Sequence, residues 1–233
     1  MKEKAIKIVM FIIVLSFTQS MFYAKSKYSD KLSKIFVSLE SHSEDMLDAI
    51  DIKDTKQLNK LYEQLKNEMK ALNQINMKQH AFNMLNEFQT KALALENSWF
   101  SLISLEMKEK DDLPALANAI NQFSGELIIL TNFKKNYKKD VAWMDYLGRE
   151  IMLLNKNYPN STQELVTIRK IDLQKTWGRI SMSLQKDKKN SALIPKTDLL
   201  ISDIVKSKNA AELVSLAKKE LEIVDDIEKA FNI

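Results

Sequence analysis

The sequence predicts an all-α protein, an antiparallel up-and-down helical bundle of about seven or eight helices. Three observations carry this expectation. Apolar residues recur at spacings of three and four along nearly the whole chain, the period of an amphipathic helix. Gly and Pro number only 3 each in 233 residues, whereas sandwiches and barrels need many such residues for their tight turns. Helix-capping residues recur after short polar turns, and helices joined by short links pack as antiparallel neighbours.

The first segment stands apart from the bundle. Lys2, Lys4 and Lys7 precede an uncharged, mostly apolar run from Ile8 to Phe17. Polar Thr18, Gln19 and Ser20 follow, and then Met21 to Ala24. This is the pattern of a secretory signal peptide, with cleavage expected after Ala24 and Ser20 as the alternative. Residues 1–24 are therefore read as signal peptide and residues 25–233 as the bundle. A membrane-spanning helix needs about 20 apolar residues, and the run from Ile8 to Ala24 is shorter and holds Gln19 and Ser20. If retained, it would act as an anchor. No second run approaches spanning length, so no membrane span is expected after cleavage. An exported chain with Cys 0 points to a bacterial periplasm.

The helices follow in order. Leu32, Phe36, Leu39, Met46 and Ile50 share one face of the first. Asp54 is the expected N-cap of the second, with Gln57 three residues on. Leu58, Leu61, Leu65, Met69 and Leu72 form its stripe. The polar run from Asn73 to Gln79 predicts a break. Phe82, Leu85, Phe88, Leu95, Trp99 and Leu102 predict a third helix ending near Lys110. Asp112 caps a fourth, with Pro114 tolerated in its first turn.

Lys134 to Asp140 reads as a basic connector before a helix from about Val141 to Asn157. Pro159 and Asn160 mark a turn, and Ser161 with Glu164 caps a helix running through Leu184. Lys186 to Ser191 reads as a polar loop, and Pro195 starts a short helix. Asn209 and Glu212 cap the last helix, which ends near Phe231. One continuous bundle and two helical units meeting near residues 134–140 both satisfy this pattern.

Composition excludes much chemistry. Gly125, Gly148 and Gly178 lie far apart, so no glycine-rich phosphate loop can form. Without cysteine there is no disulfide, thiolate zinc site, iron–sulfur cluster or Cys nucleophile. His42 and His80 are the two histidines, too few for a three-His metal site. Without residues 1–24 the chain keeps 32 basic and 30 acidic residues. That near-neutral balance argues against a nucleic-acid partner.

The candidate sites are few. His42 lies on or beside the first apolar stripe, and His with Met can ligate haem in a helical bundle. Met46 shares its helix face, and Met69 falls at a similar level on the next helix; a hydrogen-bonded histidine beside core methionines accounts for the same residues. Met77, His80 and Met84 share a face if their helix is continuous, and thioether with imidazole suits Cu(I); core or gap-filling methionine is the ordinary alternative. Carboxylates pair at Asp111–Asp112, Asp225–Asp226 and Glu40–Glu44. The first pair starts a helix and the others are expected on solvated faces, so none is assigned acid–base work. Phe133 to Lys139 interleaves aromatic and basic residues, as a connector or as a contact for an anionic surface. Trp177 precedes Gly178, where a neighbouring helix or ligand can approach.

The expected function is non-enzymatic: an exported, periplasmic binding or scaffolding module with a protein partner or a small ligand and no cofactor. A haem or copper carrier is the first alternative. A membrane-anchored sensor is the second.

Overall fold

The computed structural model describes residues 34–80, 100–109, 113–131, 133, 135–157, 163–186 and 190–233. Among these the chain forms eight helices and no strand. They are α1 (34–51), α2 (Thr55–His80), α3 (Ser101–Glu109), α4 (Leu113–Leu130), α5 (Asn136–Asn157), α6 (Gln163–Leu184), α7 (Leu193–Lys206) and α8 (Ala210–Phe231). The all-α expectation holds. Residues 1–24, read as a signal peptide, lie outside the described residues, as do Asp111, Asp112, Ser161 and most of the expected third helix. Among the described residues, no helix is long and apolar enough to cross a membrane.

Local chemistry sets several helix ends. Lys53 takes a left-handed conformation (φ 58°) between α1 and α2, the usual way to stop a helix and turn the chain. The Asp54 carboxylate then accepts from the Gln57 amide at 2.9 Å, satisfying one of the free donors of α2. Asn209 does the same for Glu212 at 3.0 Å. Pro114 and Pro195 fall in the first turns of α4 and α7, where a missing N–H costs no helix bond.

Two boundaries differ from expectation. α2 runs unbroken through Asn73 to Gln79. That stretch has no Gly or Pro, so its polar residues interrupt the apolar stripe but not the backbone ladder. α5 starts at Asn136, ahead of Val141. The Tyr137 ring stacks on Phe231 of α8, with centroids 4.4 Å apart, and the Lys135 ammonium lies 5.4 Å from the Tyr137 ring centre. This aromatic contact joins the basic segment to the end of α8, and from Asn136 the segment is helix, not connector.

The apolar core divides into two clusters. The first is built from α1 to α4 and includes Phe36, Met46, Leu65, Met69, Ile103 and Phe123, with Leu153 from α5. The second is built from α5 to α8 and includes Met144, Leu147, Leu173, Trp177, Ile204 and Ile223, with Ile128 from α4. α5 thus contributes to both. Contacts between α4 and α5 link Asn121 to Glu150 and Gly125 to Tyr146, in opposite order along the two helices. The same reversal holds for α5 and α6, through Glu150–Arg169 and Asp140–Arg179. α1 and α5 run in the same sense, through Asp48–Arg149 and Asp51–Lys156.

Candidate functional site

Polar residues on α1, α4, α5, α6 and α8 link the elements of one core cluster to those of the other. Helical spacing brings them together. Phe36, Glu40, Ser43 and Leu47 repeat at four, three and four along α1. Val141, Asp145, Gly148 and Met152 do so along α5. On α8 the apolar stripe of Leu213, Ala217, Val224 and Ile227 is interrupted by Glu220 alone.

Arg149 is the cation at the centre. Its Nε donates to Asp145 Oδ2 at 2.8 Å, and its Nη1 reaches Asp48 Oδ1 at 3.4 Å and the Glu44 carbonyl at 3.5 Å. Burial opposes its charge, but Asp145, Glu44 and Asp48 together hold the guanidinium above its ordinary range. Among the described residues, four carboxyl groups besides Asp48 gather near this cation: Asp145, Glu40, Glu44 and Glu220. Burial, reinforced by the negative charge of Asp145, lifts Glu40 to about 7 despite a hydrogen bond from Glu44 that lowers it. Burial lifts Glu44 and Glu220 well above the carboxylate range, again with Asp145 adding to the effect. Glu220 is fully buried, and neither of its oxygens has a hydrogen-bond partner among the described residues. One guanidinium offsets only part of this negative charge, which favours the protonated form of the enclosed carboxyl groups.

A second polar group adjoins it. Buried Glu150 accepts from Asn121 Nδ2 at 2.9 Å, Gln122 Nε2 at 2.5 Å and Arg169 Nε at 3.4 Å. Burial and the Glu150 charge push the Tyr146 hydroxyl up, in keeping with a neutral phenol here.

Arg149 also faces a cleft of about 360 Å³ among α1, α4, α5 and α8. Its apolar lining includes Leu47, Ile50, Leu113, Pro114, Met152 and Leu221. Its charged lining among the described residues is Asp48, Asp51, Lys53, Arg149, Lys156 and Lys218, four cations against two carboxylates. Asp51 receives Lys156 at 3.1 Å and Lys218 at 3.4 Å. These bonds, the one from Lys156 first, hold the Asp51 carboxyl below its ordinary range. The cleft therefore combines an apolar wall with two convergent lysines.

The residues singled out from sequence fall elsewhere. His42 Nδ1 lies 3.0 Å from Glu68 Oε2, and Ser38 Oγ donates to the other Glu68 oxygen at 2.5 Å. Met46 and Met69 are fully enclosed in the first core cluster. His42 thus has the hydrogen-bonded boundary setting, with both methionines in the packed interior. Met77 and His80 lie on the continuous backbone of α2, and Met84 lies outside the described residues. Among the described residues, no group of three or more His, Asp or Glu is placed to hold a metal ion.

Trp177 is buried, and its Nε1 donates to Asp198 Oδ1 at 2.7 Å. Among the described residues, nothing lies within 4 Å of a Cβ built on Gly178. The close approaches occur instead at Gly125, against the Tyr146 ring, and at Gly148, against Glu220.

Glu40 and Glu44 require a correction. They were expected on a solvated face and are partly buried beside Asp145 and Arg149. The cause is tertiary: α5 and α8 cover the flank of α1 that its apolar stripe leaves free. A signal was present in Glu220, a carboxylate inside an otherwise apolar stripe. Arg149, Asp51, Lys156 and Lys218 carried no such signal, because charged residues on helix faces are ordinary.

Comparison with protein-family models, with curated proteins and with solved structures finds no match to this chain.

Proposed function

We propose that this protein is an exported, non-enzymatic binding module whose cleft takes a small amphipathic anion, an apolar body ending in a carboxylate or similar group. The cleft carries this reading. Its volume of about 360 Å³ lies within the range of small-molecule sites, which are mostly apolar with a few placed polar groups. Among the described residues its charged side chains are cationic in excess, and Lys156 and Lys218 already converge on one carboxylate, that of Asp51. A ligand carboxylate could replace Asp51 between them while its apolar part lies on Ile50, Met152 and Leu221. The signal-peptide pattern of residues 1–24 supports export, and an intact mass starting at Lys25 in envelope extracts is the expected sign of it.

Isothermal titration with octanoate, with octan-1-ol as the neutral control, tests the binding reading. Saturable binding of octanoate is expected, stronger than that of the alcohol. The Lys156→Ala, Lys218→Ala double variant should weaken it about tenfold, the scale of charge-assisted hydrogen bonds. Octanoate affinity unchanged by the double variant, or no saturable binding, would remove this reading.

A further inference from the structure

A second cavity, of about 300 Å³, opens where α5, α6 and the turn between α7 and α8 meet. Its lining differs from that of the first cleft. Asn155, Gln163, Thr167, Lys170, Ser207 and Lys208 make it more polar than the first cleft, beside apolar Val166, Ala210 and Leu213, and among the described residues no acidic residue lines it. Two cations therefore face it with no carboxylate in the wall.

Lys170 is the unusual member. The residue is 8% exposed, although lysine is rarely buried without a counter-charge. Its Nζ donates to the Ser207 carbonyl at 2.5 Å, which uses one of three ammonium donors. Among the described residues it forms no ion pair. Burial accordingly lowers its pKa, and no neighbouring charge offsets that. Glu212 is the acid in this network, and it is engaged by Ser207 Oγ at 2.5 Å. An ammonium that faces a cavity with two spare donors, and with no anion among the described residues, is placed to receive one.

The N-terminus of α8 adds to the field. This helix is 22 residues long and starts at Ala210, which lines the cavity. Asn209 caps the Glu212 amide and leaves the first amides of the helix without intrahelical acceptors. Such an end favours negative charge. The buried lysine and the helix end arise from different elements, α6 and α8, and face one space.

We infer that this cavity binds an oxyanion of the phosphate class, held by the Lys170 ammonium, Lys208 and the first amides of α8. A tetrahedral oxyanion offers several acceptors to donors that converge from different directions. The convergent donors of Lys170, Lys208, Thr167 and Gln163 also suit it better than they suit an apolar chain. The cavity is roomier than bare phosphate requires, so both free phosphate and a phosphomonoester meet the same chemistry.

Titration of the full chain with inorganic phosphate and, separately, with glycerol 1-phosphate tests this. Saturable one-to-one binding is expected for at least one of them. Tighter binding of glycerol 1-phosphate identifies a monoester, and equal or tighter binding of phosphate identifies the free ion. Lys170→Met should abolish the binding. Lys208→Ala, at an exposed position, should weaken it several-fold and serves as the deciding variant if Lys170→Met does not fold. The Lys156→Ala, Lys218→Ala variant should bind phosphate as the wild type does, which separates this site from the first cleft. No saturation by about 10 mM, or unchanged affinity in either Lys170→Met or Lys208→Ala, would overturn the assignment.

Discussion

The Glu220 carboxylate on α8 lies against the backbone of Gly148 on α5, so that a Cβ added to Gly148 would overlap Glu220 Oε2 and approach Leu221 Cδ2 to 3.1 Å. Only glycine lets the two helices meet at this level. Helix propensity alone would favour alanine by about 1 kcal/mol. Overpacking of a filled site costs typically about 1–3 kcal/mol. Gly148→Ala is therefore expected to lower stability on balance. Gly178 is the control, since a Cβ there meets nothing within 4 Å, and Gly178→Ala should raise stability by up to about 1 kcal/mol. Urea midpoints of the two variants should move in opposite directions. A common direction would contradict the packing described.

Arg149 and Asp145 form the most enclosed ion pair of the centre, with side chains 14% and 11% exposed. Removing one partner of such a pair leaves the other buried and uncompensated, at a cost of about 3–5 kcal/mol. Arg149→Met should approach that loss at neutral pH. Arg179 pairs with Asp140 at 2.7 Å, but its side chain is half exposed. Arg179→Ala should cost no more than about 1 kcal/mol. Equal midpoint shifts at constant denaturant slope would contradict the contrast.

The helices were legible because they obey local rules. Leu58, Leu61, Leu65, Met69 and Leu72 mark one face of α2, and all five are buried. Asp54 and Asn209 cap where their side chains and the following residues indicate. The polar run at Asn73 to Gln79 misled because interruption of an apolar stripe is not interruption of the backbone ladder. The start of α5 was not legible in the lysine-rich run, and the contact made there, the stacking of Tyr137 on Phe231, spans most of the second half of the chain. The cleft was illegible for the same reason. Asp51 meets Lys156 and Lys218 across sequence separations of 105 and 167 residues, and no local pattern announces such pairs. Histidine and methionine drew notice by their chemistry, yet the buried carboxyl groups define the interior.

Asn209 offers a test of a purely local contribution. Its side chain satisfies the Glu212 amide, and Ser207 Oγ accepts from the Asn209 amide at 3.3 Å. Asn209→Ala should cost about 1 kcal/mol, and Asn209→Gly only a few tenths. Thermal unfolding of the two variants should rank them in that order; the reverse ranking would show that Ser207 and Glu212 alone hold this end of α8.

The buried carboxyl groups predict an unusual pH dependence. The ordinary value for Glu40 is 4.5, and in the folded chain it is about 7. Between these values the folded protein keeps a proton that the unfolded chain releases. Stability is then fully present below about pH 4.5 and falls as pH rises towards 7, with a slope of up to about 1.4 kcal/mol per pH unit for each such group. Burial raises Glu44 and Glu220 well above the ordinary value too, and they act with the same sign. Asp51 is lowered and opposes them, but only in the acid range beneath its ordinary 3.8. Urea unfolding should therefore show greater stability at pH 5 than at pH 7. Glu220 faces Asp145 and Arg149 of α5, and its uncharged isostere Gln has no proton to lose. Glu220→Gln should flatten the profile and narrow the difference between pH 5 and pH 7. A wild-type protein that gains stability from pH 5 to pH 7, or a Glu220→Gln profile as steep as the wild type's, would mean that the carboxyl of Glu220 is not held protonated against Gly148.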